Sequence, residues 1–422
     1  MEVSRRGFLK ISGAAMAAGG IGIRLGPVSA HAAPLKIQYA KEVTTICPYC
    51  AVGCSIIVSV RNGKVVNTEG DPDSPINRGA LCSKGGSIYQ MAVNKNRLDK
   101  PLYRAPYSAE WKEVEWEWAL EKIARNVKTS RDKSFRFKNS KGETVNRTEG
   151  IASVGSAALD NEECFVYQKF LRSLGLVYIE HQARLCHSST VPALAESFGR
   201  GAMTNHWIDI KNSDVILIMG SNPASNHPVA FKWITAAMER GAKLICVDPR
   251  FTQSAAKAHL YAPLRSGTDI AFLGGMIKYI LDNKLYFEQY VRQYTNAAFL
   301  VNPAFKLPGD NQGVFSGLTD GRYDKGTWTY QTDGSGAIRK DPALRDPHCV
   351  FQLLKKHYSR YTLERVSKIT GTPADKLTEV YKLYASTGTP DRSGTELYAM
   401  GWTQHTVGVQ NIRTMCIIQL LL

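Results

Sequence analysis

Two familiar nucleotide signatures are missing from this 422-residue chain, which holds neither G-x-G-x-x-G nor G-x-x-x-x-G-K-[ST]. A nicotinamide site of the ordinary kind and a P-loop are therefore unsupported. Long apolar runs are also lacking: the longest near the N-terminus, residues 11–23, falls short of the roughly 20 residues that span a bilayer. The chain carries a net charge of +16 and a pI near 9.4, yet no basic helix, zinc-finger spacing or aromatic RNA-binding motif goes with it. Nucleic acid is thus not the expected partner, and phosphate-bearing cofactors or an acidic protein surface fit the charge better. There is no internal repeat and no long low-complexity segment. With 44% hydrophobic and 21% charged residues the chain is globular, and its length allows two or three domains.

Four cysteines stand together near the start, Cys47-x2-Cys50-x3-Cys54 and then Cys82. Thiolates this close make a soft-metal site, and three crowded ligands with a distant fourth suit a four-iron four-sulfur cluster. Zinc bound by four sulfurs is the competing occupant, although it favours two short paired knuckles. Disulfides fit less well, because a chain of this length builds a core without staples. The other cysteines, Cys164, Cys186, Cys246, Cys349 and Cys416, show no paired spacing, and an odd number cannot all be bridged. Cys246 and Cys416 sit in apolar runs and read as small buried hydrophobes. Cys186 differs: it lies in a short polar loop, 183–190, beside Arg184 and His187, the setting of a reactive thiolate. An incidental Cys–His pair and a protease-like nucleophile remain open alternatives for it.

The N-terminus reads Ser4-Arg5-Arg6-Gly7-Phe8-Leu9-Lys10, then a weakly apolar stretch and Ala30-His31-Ala32. This is the pattern of a twin-arginine export signal over residues 1–32. That route carries proteins folded around their cofactors, so the expected location is the periplasm. Behind the third cysteine, residues 55–66 read as a β-hairpin turning at Asn62-Gly63. An amphipathic helix is expected from about Trp111, and the charged stretch 128–149 reads as a surface insertion. From Ile151 strands and helices alternate: strand 151–159 with helix 162–174, strand 214–220 with helix 229–240, and strand 243–248 with helical residues from Ala255. The expected fold class is α/β, a small β-rich cluster domain followed by doubly wound parallel-sheet domains.

Ligands of such sheets bind at the carboxyl ends of the strands. Three loops there suit phosphates and a guanine or ribose: Gly220-Ser-Asn222-Pro223, Asp248-Pro-Arg250-Phe-Thr252 and Ser266-Gly267-Thr-Asp269. Glycine admits close backbone approach and helix N-termini attract anions. Each loop alone is a weak signal, since these residue types also populate ordinary loops.

Taken in order, Cys47-Pro-Tyr-Cys50-Ala-Val-Gly-Cys54, Cys82-Ser-Lys84-Gly, Arg184-Leu-Cys186-His187-Ser, the run 199–207, Asp248-Pro-Arg250, Arg265-Ser-Gly-Thr-Asp269 and Gly401-Trp-Thr-Gln-His405 carry a resemblance. The chain resembles the N-terminal half of the catalytic subunit of exported formate dehydrogenases, within the bis-molybdopterin guanine dinucleotide oxidoreductases. A cysteine-ligated nitrate reductase is the alternative enzyme, and a non-catalytic cluster-bearing fragment is the alternative of another class. The resemblance implies that Cys47, Cys50, Cys54 and Cys82 bind a 4Fe-4S cluster and that Lys84 lies on the electron path. It implies that Cys186 ligates molybdenum or tungsten while His187 handles protons or orients formate. Gly220, Asn222, Asp248, Arg250, Gly267, Asp269 and Gly401 would help hold the bis(molybdopterin guanine dinucleotide). Formate is the implied substrate and an iron-sulfur (beta) subunit the implied electron acceptor, with a membrane cytochrome b or soluble cytochrome c beyond it. The implied domains are a cluster domain at 40–106, a pterin-binding α/β domain at 107–182 completed in part by 375–422, and a second α/β domain at 183–374.

Two departures stand out. Relatives continue far past the equivalent of Leu422, which here falls in an expected apolar helix 411–422, so the expected readings are a fragment, an interrupted gene product, or a split subunit whose partner is a second polypeptide supplying the C-terminal half. Close relatives also often carry selenocysteine at the position of Cys186. A thiol has the higher pKa and makes the poorer proton acceptor or leaving ligand at neutral pH. Replacing Cys186 by selenocysteine is therefore expected to raise formate turnover, and an equal rate in a side-by-side assay would show that thiolate chemistry is not limiting.

Overall fold

The structure, a computed structural model, describes residues 35–422, so the expected export signal lies outside the described residues. β1 (Lys41–Ile46), β2 (Ser55–Arg61) and β3 (Lys64–Gly70) form an antiparallel sheet in that order. Asn62 and Gly63 both have positive φ, the two-residue turn that matches strand twist. A short helix, α1 (Ser83–Gly86), follows. The helix expected at Trp111 begins five residues later, as α2 (Trp116–Ser134), because Lys112–Glu113 pair with Leu102–Tyr103 as a two-residue ladder.

The stretch 128–149 is not an irregular insertion. It holds the end of α2, then β4 (Phe135–Lys138) and most of β5 (Thr144–Gly155), a hairpin. Its charges lie on regular elements, with Lys128–Asp132 paired one turn apart, so polarity there marked exposure rather than loop. α3 (Asn161–Ser173) starts with a capping box from Asp160 and Glu163, and β6 (Leu176–His181) pairs in parallel with β5.

Next come α4 (Gln182–Cys186), α5 (Thr190–Phe198), β7 (Val215–Met219), α6 (Pro228–Glu239), β8 (Lys243–Val247) and β9 (Leu260–Ala262). Only one 3-10 turn, Ala255–Lys257, occupies the start of the helix expected there, since Leu260–Ala262 instead joins the sheet beside β8. α7 (Asp269–Asp282), α8 (Val350–Tyr358), α9 (Leu363–Thr370), α10 (Ala374–Ala385), β10 (Gly394–Leu397), α11 (Met400–Thr403) and α12 (Gly408–Leu421) complete the described chain.

The central sheet runs β9-β8-β7-β10, with all neighbours parallel. Every residue of β7 is buried. Val215, Leu217 and Met219 face a core shared with α7 and α12, while Ile216 and Ile218 meet Trp233 and Ile234 of α6. Helices thus cover both faces, which explains the unbroken apolar run Val-Ile-Leu-Ile-Met. α10, β10 and α12 build this sheet and its cover, not the β4-β5-β6 sheet, because β10 is the edge partner of β7. Residues 375–422 therefore complete the unit at 183–374 rather than 107–182. Cys246 and Cys416 are buried as expected, and all nine cysteines are unbridged.

Glu396 of β10 is out of keeping with this core. Its two carboxyl oxygens are buried and have no well-formed hydrogen bond. Tyr384 and Gln419 lie beside it but bond chiefly to each other, at 2.5 Å. Burial raises its pKa from 4.5 to about 8. Unfolding releases the acid to its ordinary pKa, so the folded state loses stability as pH rises from about 4.5 to about 8, in total a few kcal/mol. Glu396→Gln is expected to raise the melting temperature, with a larger gain at pH 8 than at pH 5 by calorimetry. A pH-independent gain would show that the carboxyl does not ionise there.

Candidate active site

The cysteine cavity is made by one loop and one helix start. Residues 47–54 connect β1 to β2, closed by Cys47 N–H to the Cys54 carbonyl at 2.9 Å, with Gly53 at φ 63° making the turn. Cys82 caps the N-terminus of α1. Asn77, fully buried, ties the two together: its Oδ1 accepts from Ser55 N–H, and its Nδ2 donates to the carbonyls of Ser55 and Ala80. The four cysteines then line one cavity with Tyr49, Val52, Leu81, Gly85, Pro228 and Val229.

This site fits a cluster. Four sulfurs around one apolar-walled cavity are the donor set that iron-sulfur clusters take. Burial, and then the neighbouring cysteines, raise the Cys54 pKa to about 11, and burial raises that of Cys50 as well. Four thiolates can share this cavity only around a cationic group. Lys84 of α1 lies close enough to act electrostatically on both Cys50 and His227.

His227 was not expected from the sequence. Burial lowers its pKa, and the nearness of His187 and Lys84 lowers it further. It thus marks the space between the cysteine cavity and the Cys186 loop. Only the contact pattern reveals it, since an isolated histidine before a proline carries no signal in the sequence.

Cys186 ends the short α4 and is half-buried. The segment 401–405 docks on it: Thr403 Oγ1 donates to the Cys186 carbonyl at 3.0 Å and lies 3.2 Å from His187 Nδ1, and Gln404 Nε2 lies 3.5 Å from Cys186 Sγ. Ser189 Oγ returns a bond to the Thr403 carbonyl at 2.8 Å. Two motifs 217 residues apart are thereby locked together.

Beside them a cavity of about 250 Å³ gathers Gly220, Asn222, Asp248, Arg250, Asp269 and Gly401 with His405. Gly267 does not line it, but its φ of 83° turns the loop that places Ser266 and Asp269 there. Asn222 is largely spent on structure: Oδ1 accepts from the N–H and hydroxyl of Ser254, and Nδ2 donates to Ser225. Arg265, named with this loop, donates instead to the C-terminal carbonyls of α9 at Lys368 and Ile369. Burial raises the Asp248 pKa, opposed by the Arg250 N–H that donates to its Oδ1.

Asp269 is the sharpest test of fit. Its Oδ1 accepts from Trp402 Nε1 at 3.0 Å, while Oδ2 is buried without a hydrogen bond and lies 3.8 Å from His405 Nδ1. A residue that lines the cavity and keeps a carboxylate oxygen without a partner suits a ligand rich in N–H donors, as guanine and pterin rings are.

The acetylene hydratase of Pelobacter acetylenicus superimposes on 90% of this chain and 43% of its own, with a TM-score of 0.65 at 21% identity, which is a likeness of fold. The chain is 56% identical to the formate dehydrogenase subunit alpha of Megalodesulfovibrio gigas and 46% identical to the nitrate-inducible formate dehydrogenase major subunit of Escherichia coli. Both comparisons cover 100% of this chain but 42% and 43% of the relative, so it spans less than half the length of these proteins. Residues 40–94 match the molybdopterin oxidoreductase Fe4S4 domain, a span that holds all four cysteines of the cavity. Residues 97–421 match the molybdopterin oxidoreductase pattern, and the chain belongs to that family.

Proposed function

We propose that this chain is the cluster- and metal-ligand-bearing part of a formate dehydrogenase, oxidising formate to carbon dioxide with release of a proton and two electrons. The observation that carries the reading is the docking of Thr403 and Gln404 on Cys186 and His187, in the segment whose Gly401 and His405 line the cavity with Asp269. Similarity to formate dehydrogenase subunits over the whole chain supports the substrate. When bound, the bis-pterin molybdenum or tungsten group supplies the two-electron sink. Cys186 would ligate the metal through its thiolate. His187, with Thr403 Oγ1 within 3.2 Å of Nδ1, holds its ring in one orientation and can carry a proton at Nε2. Lys84 stands between the cysteine cavity and His227, where a positive charge favours the passage of electrons. Gly220, Asp248, Arg250, Asp269 and Gly401 would hold the dinucleotide tails, with Asn222 and Gly267 shaping their loops.

Partners follow from what is exposed. Between α2, β5 and α3 lies an open apolar groove of about 870 Å³, with Leu120, Ile123, Val154 and Phe170 all well exposed. Such a surface needs cover, and polypeptide of the kind that makes up the rest of the relatives' length would supply it. Electrons would leave to an iron-sulfur subunit and then a cytochrome. The export pattern at residues 1–32 supports a periplasmic location and a role in anaerobic respiration.

The test is metal and pterin analysis of the purified protein alongside formate-dependent dye reduction. Molybdenum or tungsten with about four irons and activity is expected, with Cys186→Ala abolishing dye reduction while keeping the iron. Iron alone without activity, in the presence of any co-purifying subunit, would identify a cluster-bearing fragment instead.

A further inference from the structure

We propose that Trp207 tunes the iron-sulfur cluster from the neighbouring α/β domain, acting through a single peptide unit of the cysteine loop. Its indole Nε1 donates to the Ala51 carbonyl at 3.2 Å, across 156 residues of sequence. That carbonyl and the Val52 N–H are the two ends of one peptide. The Val52 N–H lies near enough to the Cys50 sulfur to act on it, and both residues line the cysteine cavity. A donor on the carbonyl end polarises an amide and strengthens its own N–H as a donor. Hydrogen bonds to cluster sulfurs help set the reduction potential, and a stronger N–H to sulfur favours the more negative, reduced form. Trp207 thereby raises the potential without touching a ligand.

The donor is held firmly. Trp207 opens a 3-10 turn, 207–212, where the preceding His206 forms a reciprocal cap with Asp209. Its ring lies 5.7 Å from that of His227, next to Pro228 and Val229 of the cysteine cavity. The indole packs in the same apolar cluster as Cys50 and Cys82. A useful contrast sits in the same interface: Trp233 Nε1 donates to the Ile76 carbonyl at 3.1 Å, a similar interdomain bond that does not involve a cysteine peptide.

The proposal rests on the cluster assignment, which iron analysis checks first: a wild-type protein lacking about four irons overturns that assignment and this proposal with it. Dithionite titration of the loaded protein, followed by electron paramagnetic resonance, then gives the cluster midpoint potential. Trp207→Phe keeps the ring and removes the N–H, and its potential is expected to fall below that of Trp233→Phe, which stays at the wild-type value. Trp207→His restores a ring N–H and is expected to recover most of the shift, and it serves as the measured variant if Trp207→Phe sheds iron. An unchanged potential in Trp207→Phe, an equal fall in Trp233→Phe, or a Trp207→His potential well below wild type would each overturn the tuning role.

Discussion

The carbonyl of Gly220 accepts N–H bonds from both Ala399, at 3.1 Å, and Gly401, at 3.0 Å, and much of the site depends on that meeting of backbones. A side chain on Gly401 would lie 2.7 Å from the Gly220 Cα and carbonyl oxygen, and one on Gly220 would strike Trp402 at 2.7 Å. Only glycine at both places lets the end of β7 touch the turn that leaves β10. The contact puts Trp402 under Asp269 and Thr403 against Cys186, so one backbone junction sets both the floor of the 250 Å³ cavity and the placement of the cysteine loop.

The two sites are also joined by covalent chain. Gly220 lines one cavity and Pro228 the other, so the segment between the end of β7 and the start of α6 is the wall they share. α6 then fastens the cluster domain: Lys232 donates to the Asn77 carbonyl at 3.0 Å and Trp233 to that of Ile76 at 3.1 Å, with the Arg78 guanidinium 4.9 Å from the Trp233 ring centre. The spacing of the two cavities is thus set by packed secondary structure, which is what the proposed electron transfer would require. Lys84 brings positive charge to the same region, close enough to act on both Cys50 and His227.

Much of the fold could be read because its signals were local. The Asn62-Gly63 hairpin, the apolar run of β7 and the helical period of α3 each depend on residues within a few turns or one strand of one another. The misread segments were those where composition and structure part company. Residues 128–149 are charged yet regular, because helix and hairpin backbone hydrogen bonds form whatever the polarity of the side chains. Ala255 starts a helical pattern that yields after one turn, because an edge position beside β8 was open to Leu260–Ala262. β10 looked like a piece for the earlier sheet, and nothing local distinguishes one parallel edge from another.

The candidate residues divide in the same way. The four cysteines, Cys186 with His187 and the three strand-end loops announce themselves by spacing and side-chain chemistry, and these the amino-acid sequence determined by itself. Tertiary structure alone decided that Asn222 is spent on Ser254, that Arg265 serves a helix end, that Asp269 keeps one oxygen without a partner, and that Trp207 reaches the cysteine loop. Those outcomes depend on which donors and acceptors meet across separations of tens to hundreds of residues. Spacing along the chain records what a side chain can do, while packing determines which of its hydrogen bonds are already taken.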